Sequence, residues 1–467
     1  MSEKIMKKSR TLIAALLGTV MIAALTIWGC GTSSYDNPQD SAVTTKTATA
    51  LITAADLKTW VDAGLVNKTG GSDRVVILDV TADSTNDNGT PTVTTDDFKY
   101  NKYNTVGHIP GAQLILGAGV FQAVRAEGPL NENGAVVCTG ATMDTLIQNA
   151  GIDKYTTIVV TSSGSIVDLA RTYTTFRYWG FPKNRIKVLN GGNAGWTAAG
   201  YALTTKASTV VKSTYGVSQN QSNVNTDMRT SLVEMIAYVK DIVAGNTNKV
   251  TLIDTVRGSA TVVNATVSGP TGDLITTGVT PFDGAIKGSY SYFAPRMVTS
   301  GLYFKDPAAI RADLIAAYGT DGVTQLGEAN LDATKTFVSF CRAGNYASVG
   351  YFALDGIAYY NSNVDVKWYD GSLGQFNMLA SSDHVAVNGT NAGGKLAVGS
   401  IWDTTSLLDN LTWNVDRAQT IVSYGHRVFA VEPSFAEGNQ LEDADRAYRS
   451  AVSSTSGGAV AGGGGGC

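Results

Sequence analysis

Phe337-Val-Ser-Phe-Cys341-Arg-Ala-Gly-Asn-Tyr-Ala-Ser348 is the stretch from which the rest of this chain is read. An apolar run of β type ends on a cysteine, and a short loop with one glycine follows. Ala347 to Leu354 then reads as the start of a helix. A thiol held where a strand hands over to a helix faces converging backbone N–H groups and the positive end of a helix dipole. Both favour thiolate over thiol. Gly344 allows the tight turn and close backbone approach. The N–H groups of Arg342, Ala343, Gly344, Asn345, Tyr346 and Ala347 are candidates to cradle an anion. Arg342 adds a fixed positive charge.

Outward from this loop, the same landmarks occur twice. Val75-Val-Ile-Leu-Asp79-Val corresponds to Val250-Thr-Leu-Ile-Asp254-Thr at an offset of 175, and Gly107–Ala112 corresponds to Gly284–Ser289 at 177. Ile158–Ser162 matches Phe337–Cys341 at 179, and Val188–Gly192 followed by Trp196 matches Trp368–Ser372 followed by Phe376 at 180. Landmarks in the same order with a slowly drifting offset indicate a duplicated unit. Within each copy, apolar strands alternate with helical stretches such as Ser165 to Tyr178 and Asp306 to Tyr318. Asp306-Pro307 is an N-cap followed by an N1 proline. That alternation implies an α/β fold with parallel sheets covered on both faces. Functional sites of open sheets lie at the carboxyl ends of the strands, where Cys341 is placed. The first copy has Thr161-Ser162-Ser-Gly-Ser at the equivalent loop and no thiol, so its expected role is structural.

At 467 residues the chain has room for two or three domains. A charged fraction of 16% and 51 glycines suit a loop-rich exported protein. Lys4, Lys7, Lys8 and Arg10 precede the apolar run Thr11 to Thr26, the pattern of a signal segment over residues 1–29. Leu25-Thr-Ile-Trp-Gly-Cys30 resembles a bacterial lipobox, which makes Cys30 the expected lipidated residue and a membrane the expected partner of the N-terminus. Gly31 rather than Asp follows, which favours the outer membrane. Losing Lys4, Lys7, Lys8, Arg10 and Glu3 takes the net charge from −4 to about −7, which disfavours nucleic acid as a partner. Residues 30–52 read as a tether, 53–207 as the first copy and 208–226 as a linker. The second copy spans 227–382, an extension 383–448, and a Gly/Ser-rich tail 449–467 ends in Cys467, a candidate accessory thiol. The acidic stretch Glu432 to Asp445 is expected to be a solvated face, and Cys138 a buried small hydrophobe. His108, His384 and His426 form no evident cluster with Cys341, which points away from a Cys-His hydrolase and from a zinc site.

The C-x-x-G-x-x-A loop, the downstream Val366-Lys-Trp-Tyr-Asp-Gly-Ser372 and the duplication together resemble the tandem rhodanese sulfurtransferases, the thiosulfate and mercaptopyruvate enzymes. The resemblance covers roughly residues 53–380. It implies two rhodanese-like domains, a cysteine-free first and a catalytic second, with no cofactor and no metal. It implies a persulfide on Cys341, a small anionic sulfur donor and a thiol acceptor. Asp254 and Arg257 resemble the family's D-x-R motif with one extra residue between them. Lys287 and Arg296 are further candidate anion contacts. Arg-Ala-Gly-Asn-Tyr346 has one cation and no Ser or Thr, so it departs from both familiar loops and leaves the donor open. The alternative is a non-catalytic lipoprotein using this fold as a binding module in an envelope complex.

Overall fold

The computed structural model describes residues 47–81, 102–217, 224–246, 249–257, 282–380, 396–397, 399–413 and 432–456. The signal segment, Cys30, His384, His426 and Cys467 lie outside them. No helix among the described residues is long and apolar enough to cross a membrane.

The first copy is a five-stranded parallel sheet. Its strands are β1 (Leu51–Ile52), β2 (Arg74–Asp79), β3 (Gln113–Leu114), β6 (Thr156–Thr161) and β7 (Ile186–Leu189), in the order β1-β7-β6-β2-β3. Between β3 and the next helix lies an antiparallel hairpin, β4 (Gln122–Glu127) and β5 (Leu130–Val137). Successive side chains of a strand point to opposite faces, and both faces of β2 are apolar. Val75 and Ile77 pack with Leu57 and Trp60 of α1 (Ala54–Asp62) and Trp196 of α4 (Gly192–Ala198). Val76 and Leu78 join Met143 and Ile147 of α2 (Gly140–Asn149) and Leu169 of α3 (Ile166–Tyr178).

The second copy repeats the plan. Its sheet comprises β8 (Val250–Asp254), β10 (Ser289–Ser291), β13 (Thr336–Phe340) and β14 (Asp365–Trp368), all parallel in the order β10-β8-β13-β14. Arg229 bridges Trp368 in parallel, the place that β1 takes beside Val188 in the first sheet. Asp79 pairs with Thr161 and Leu114, and Asp254 pairs with Phe340 and Ser291. The backbone pairing therefore superimposes Ser162 on Cys341, as the sequence offsets do.

Helices α5 (Leu232–Val243), α6 (Pro307–Ile315), α7 (Gly327–Ala333), α8 (Asn345–Tyr351) and α9 (Ser372–Met378) flank this sheet. Ser231 and Glu234 form a capping box on α5, and Asp306 caps α6 with Pro307 at its first turn. Each such cap is worth about 1 kcal/mol. Strand β9 (Phe282–Ile286) pairs antiparallel with β15 (Leu408–Trp413) of the extension. A hairpin of β11 (Val298–Ser300) and β12 (Tyr303–Phe304) occupies the same place in this copy as β4–β5 does in the first.

The two hairpins cross over. The first copy's hairpin packs on the segments after β13 and β14, through Gln122 to Asn345 and the Val137 N–H to Asp370. The second copy's hairpin packs on the loops around Gly191, whose N–H donates to Leu302 O at 3.1 Å. The last helix, α10 (Gln440–Ser456), lies against the first copy's hairpin. It corrects the expectation of a solvated acidic face, because Glu442 and Asp445 are buried. Asp445 meets Arg125 at 2.7 Å and Tyr178 at 2.6 Å, and Glu442 meets Arg229. The sequence shows acidic residues but not the arginines that the fold brings to them.

Candidate active site

Cys341 follows the last residue of β13 and is only 2% exposed. Gly344 takes φ +81°, so the chain can turn into α8, and its missing Cβ is needed: one there would lie 2.5 Å from Asp370 O. The loop is tied from below by α9. Leu373 N–H donates to Cys341 O at 3.0 Å and Gly374 N–H to Arg342 O at 2.7 Å.

The Ser372 hydroxyl lies beside the thiol, 3.8 Å from Cys341 Sγ. It accepts the Cys341 N–H at 3.0 Å and the Gly344 N–H at 3.2 Å. Its proton goes to Tyr369 O at 2.8 Å, with Cys341 Sγ at 3.8 Å as the alternative acceptor. Ser372 has φ +52°, a left-handed conformation that costs a serine about 1–2 kcal/mol. The Gly344 N–H, expected to face an anion, is therefore engaged by this hydroxyl instead.

The other expected contacts divide by position. Asn345 Oδ1 accepts from Gln122 Nε2 of the first copy at 2.6 Å, and the Tyr346 ring meets Phe293 edge-on at 5.9 Å. Ala347 O accepts from Ser339 at 2.8 Å, so this residue braces the loop against its own strand. Ala343 and Arg342 are half-buried in the loop itself.

Asp254 and Arg257 lie at the carboxyl end of β8, the same edge as Cys341, but they serve one another. Asp254 Oδ1 accepts the N–H groups of Val256 and Arg257, and its Oδ2 lies 3.3 Å from Arg257 Nε. Arg257 also donates to Ser289 Oγ at 2.7 Å. Burial raises the Asp254 pKa, with Arg257 opposing, and burial lowers that of Arg257, with Asp254 opposing. The D-x-x-R spacing thus closes a local turn and an ion pair. Lys287 precedes β10 and donates to Ser406 O at 2.7 Å. Because β10 runs parallel to β13, that puts Lys287 on the opposite edge from Cys341, so it is not brought to the loop. Arg296 follows β10 on the correct edge and sits 3.6 Å from Asp313.

Several neighbours of the loop come from elsewhere in the chain and carry no local motif. Arg171 of α3 reaches Gly344 O at 3.4 Å, where Trp368 Nε1 also donates at 3.2 Å. Asp370, two residues before Ser372, accepts from Arg229 Nε at 2.8 Å and from the Val137 N–H at 2.7 Å. Arg229 also pairs with Glu127 at 2.6 Å. Among the described residues no group of three or more His, Cys, Asp or Glu side chains could hold a metal ion.

Residues 62–199 match the family described as Rhodanese-like domain. This part of the chain is similar to rhodanese-like domains. It spans β2 to α4, the core of the first copy, and the second sheet repeats its strand order. Solved structures of similar backbone include the Tum1 protein from Saccharomyces cerevisiae, at 18% identity over 70% of this chain and 94% of that one, with a TM-score of 0.49. They also include the 3-mercaptopyruvate sulfotransferase SseA from Escherichia coli, at 17% identity over 69% and 98%, with a TM-score of 0.44. A third is the anaerobic ergothioneine biosynthesis enzyme from Chlorobium limicola, solved with trimethyl histidine, at 14% identity over 70% and 68% and a TM-score of 0.48. No curated protein matches the chain in sequence.

Proposed function

We propose that this protein is a sulfurtransferase that carries sulfane sulfur as a persulfide on Cys341. The observation that carries this reading is the placement of Cys341. It follows the central strand of the second rhodanese-like sheet, at the head of α8, with the Ser372 hydroxyl holding the loop. In the first half-reaction the Cys341 thiolate attacks the outer sulfur of a donor such as thiosulfate. A sulfur–sulfur bond forms to Cys341, the donor's own sulfur–sulfur bond breaks, and sulfite leaves with the electron pair. In the second, an acceptor thiolate attacks the outer sulfur of the persulfide and Cys341 leaves as thiolate. The reading includes export and a lipid on Cys30 that tethers the domains to a bacterial envelope membrane, outer rather than inner.

The near-complete burial of Cys341 favours a second reading, a rhodanese-like binding module in an envelope complex. One experiment separates the two. The mature protein is incubated with thiosulfate or polysulfide and weighed intact. A one-sulfur adduct on wild type that Cys341→Ser lacks is the expected result. No adduct, or the same adduct on both proteins, overturns sulfur transfer and leaves the binding module.

A further inference from the structure

We propose that the first copy carries an anion site of its own, for a small ligand bearing a multiply charged oxyanion such as a phosphate ester. The site is a cavity of about 610 Å³ at the amino end of the first sheet. Arg74 and Thr156, which face each other at the start of β2 and β6, line it. The carboxyl ends of those strands, and the loop with Ser162, lie at the other edge. The cavity is therefore separate from the sulfur chemistry proposed above and does not depend on it. Its walls are held in place by the fold. One is the turn after α2, residues 150–156, and another is the chain leading out of the first copy, residues 210–215. Ser213 fastens the second wall down: its N–H donates to Gln148 O at 2.9 Å and its hydroxyl to Ile152 O at 2.7 Å. Gly151, at φ +68°, lets the two walls touch, because a Cβ there would lie 2.5 Å from Val211 O. A pocket fixed this way loses little freedom when a ligand enters. Its volume falls within the roughly 300–1,000 Å³ of small-molecule sites.

The charges around the cavity do not balance. Lys68, Arg74, Lys154 and Lys212 line it against a single carboxylate, Asp153, which pairs with Arg74. Lys68, Lys154 and Lys212 have no carboxylate within ion-pair distance among the described residues. Arg74 and Lys154 converge on Tyr155, the guanidinium 5.6 Å and the ammonium 4.9 Å from its ring centre. Three uncompensated cations around one concavity, in a chain of net charge −4, focus a positive potential there. A monoanion would answer only one of them, which is why the ligand is assigned more than one negative charge. A nucleic acid needs a groove that tracks its backbone, whereas a bounded cavity suits a small molecule.

Isothermal titration of the purified protein with inorganic pyrophosphate, at near-physiological salt, tests the site. One saturable event per chain is expected. Lys154→Ala and Lys212→Ala should each weaken it about tenfold, the scale of losing a hydrogen bond to a charged group. Lys335→Ala removes an exposed lysine that does not line the cavity and should leave binding unchanged. No saturable binding overturns the proposal. An equal loss in Lys335→Ala also overturns it, because the attraction would then belong to the surface as a whole. A soluble short-chain phosphatidic acid, titrated alongside, tells a lipid headgroup from a free oxyanion, and tighter binding of either one keeps the site. Sulfur loading on Cys341, or its absence, leaves these results standing.

Discussion

The loop after β6 and the loop after β13 are the same piece of backbone put to two uses. In the first copy Ser162 satisfies its own loop: its hydroxyl accepts the N–H groups of Gly164 at 3.1 Å and Ser165 at 3.4 Å. Gly192 stands where the chain must take φ +56°, and a Cβ there would lie 2.3 Å from Ser162 O. In the second copy the residue at that turn is Ser372, with φ +52°, and its hydroxyl takes the loop N–H groups. The side chain after the strand is thereby excused from holding the loop. A serine can be both anchor and side chain in one copy. A sulfur that must react is served better by an anchor placed elsewhere. The left-handed serine is the cost of that separation.

The widest break in this comparison would be to move the thiol. Ser162→Cys combined with Cys341→Ser puts the cysteine on the first loop, at the same point of an equivalent sheet. It would have no Ser372 there, because Gly192 stands at the equivalent turn. The second copy's hairpin also closes over Gly191 and Gly192. Sulfur loading, weighed as an intact-mass adduct, is expected to fall more than about a hundred-fold, the scale of losing aligned donors around a reacting anion. Loading near the wild-type rate would show that the strand end alone suffices.

The anchor can be broken separately. Ser372→Ala keeps the left-handed backbone and leaves the N–H groups of Cys341 and Gly344 buried without their acceptor, at about 1–3 kcal/mol each. Ser372→Gly loses the same acceptor but relieves the backbone by roughly 1 kcal/mol. Chemical denaturation is expected to rank wild type above Gly and Gly above Ala, with Ala destabilised by roughly 3 kcal/mol. A Gly variant as stable as wild type would mean that the hydroxyl does not hold the loop.

The sequence was most legible where structure is local or repeated. Apolar runs ending at Asp79, Asp254, Thr161 and Phe340 are the strands, and the drifting offsets match the sheet registers. Cys341 could be placed at a carboxyl end because strand direction follows from the alternation. Contacts between the copies were not legible. Arg171, Gln122 and Arg229 sit in stretches without a motif and reach the loop only when helix α3, the crossed hairpins and the Trp368 bridge assemble. Lys287 lies at the amino end of β10, away from the loop, and its motif carries no sign of strand direction. Glu442 and Asp445 read as a solvated run because composition does not reveal a buried arginine partner.

The smallest expected effect concerns the residue two positions before the anchor. In the first copy the position is Asn190, neutral, whose Oδ1 accepts the Phe304 N–H at 2.9 Å. In the second it is Asp370, which shares Arg229 with Glu127 and Glu442, all buried. Three carboxylates crowd one guanidinium. Burial pushes Glu442 up to about 7, with Arg229 opposing and Glu127 adding to the rise. The folded protein therefore keeps a proton on Glu442 between about 4.5 and 7 that the unfolded chain releases. A folded state that binds more protons loses stability as pH rises through that window, and the loss levels off above about 7. Glu442→Gln removes this titration. Relative to the variant, wild type is expected to lose about 2 kcal/mol between pH 5 and pH 8, measured by denaturant midpoints. A flat difference, or one of opposite sign, would mean that Glu442 stays ionised and that α10 clamps the Asp370 end of the loop by charge alone.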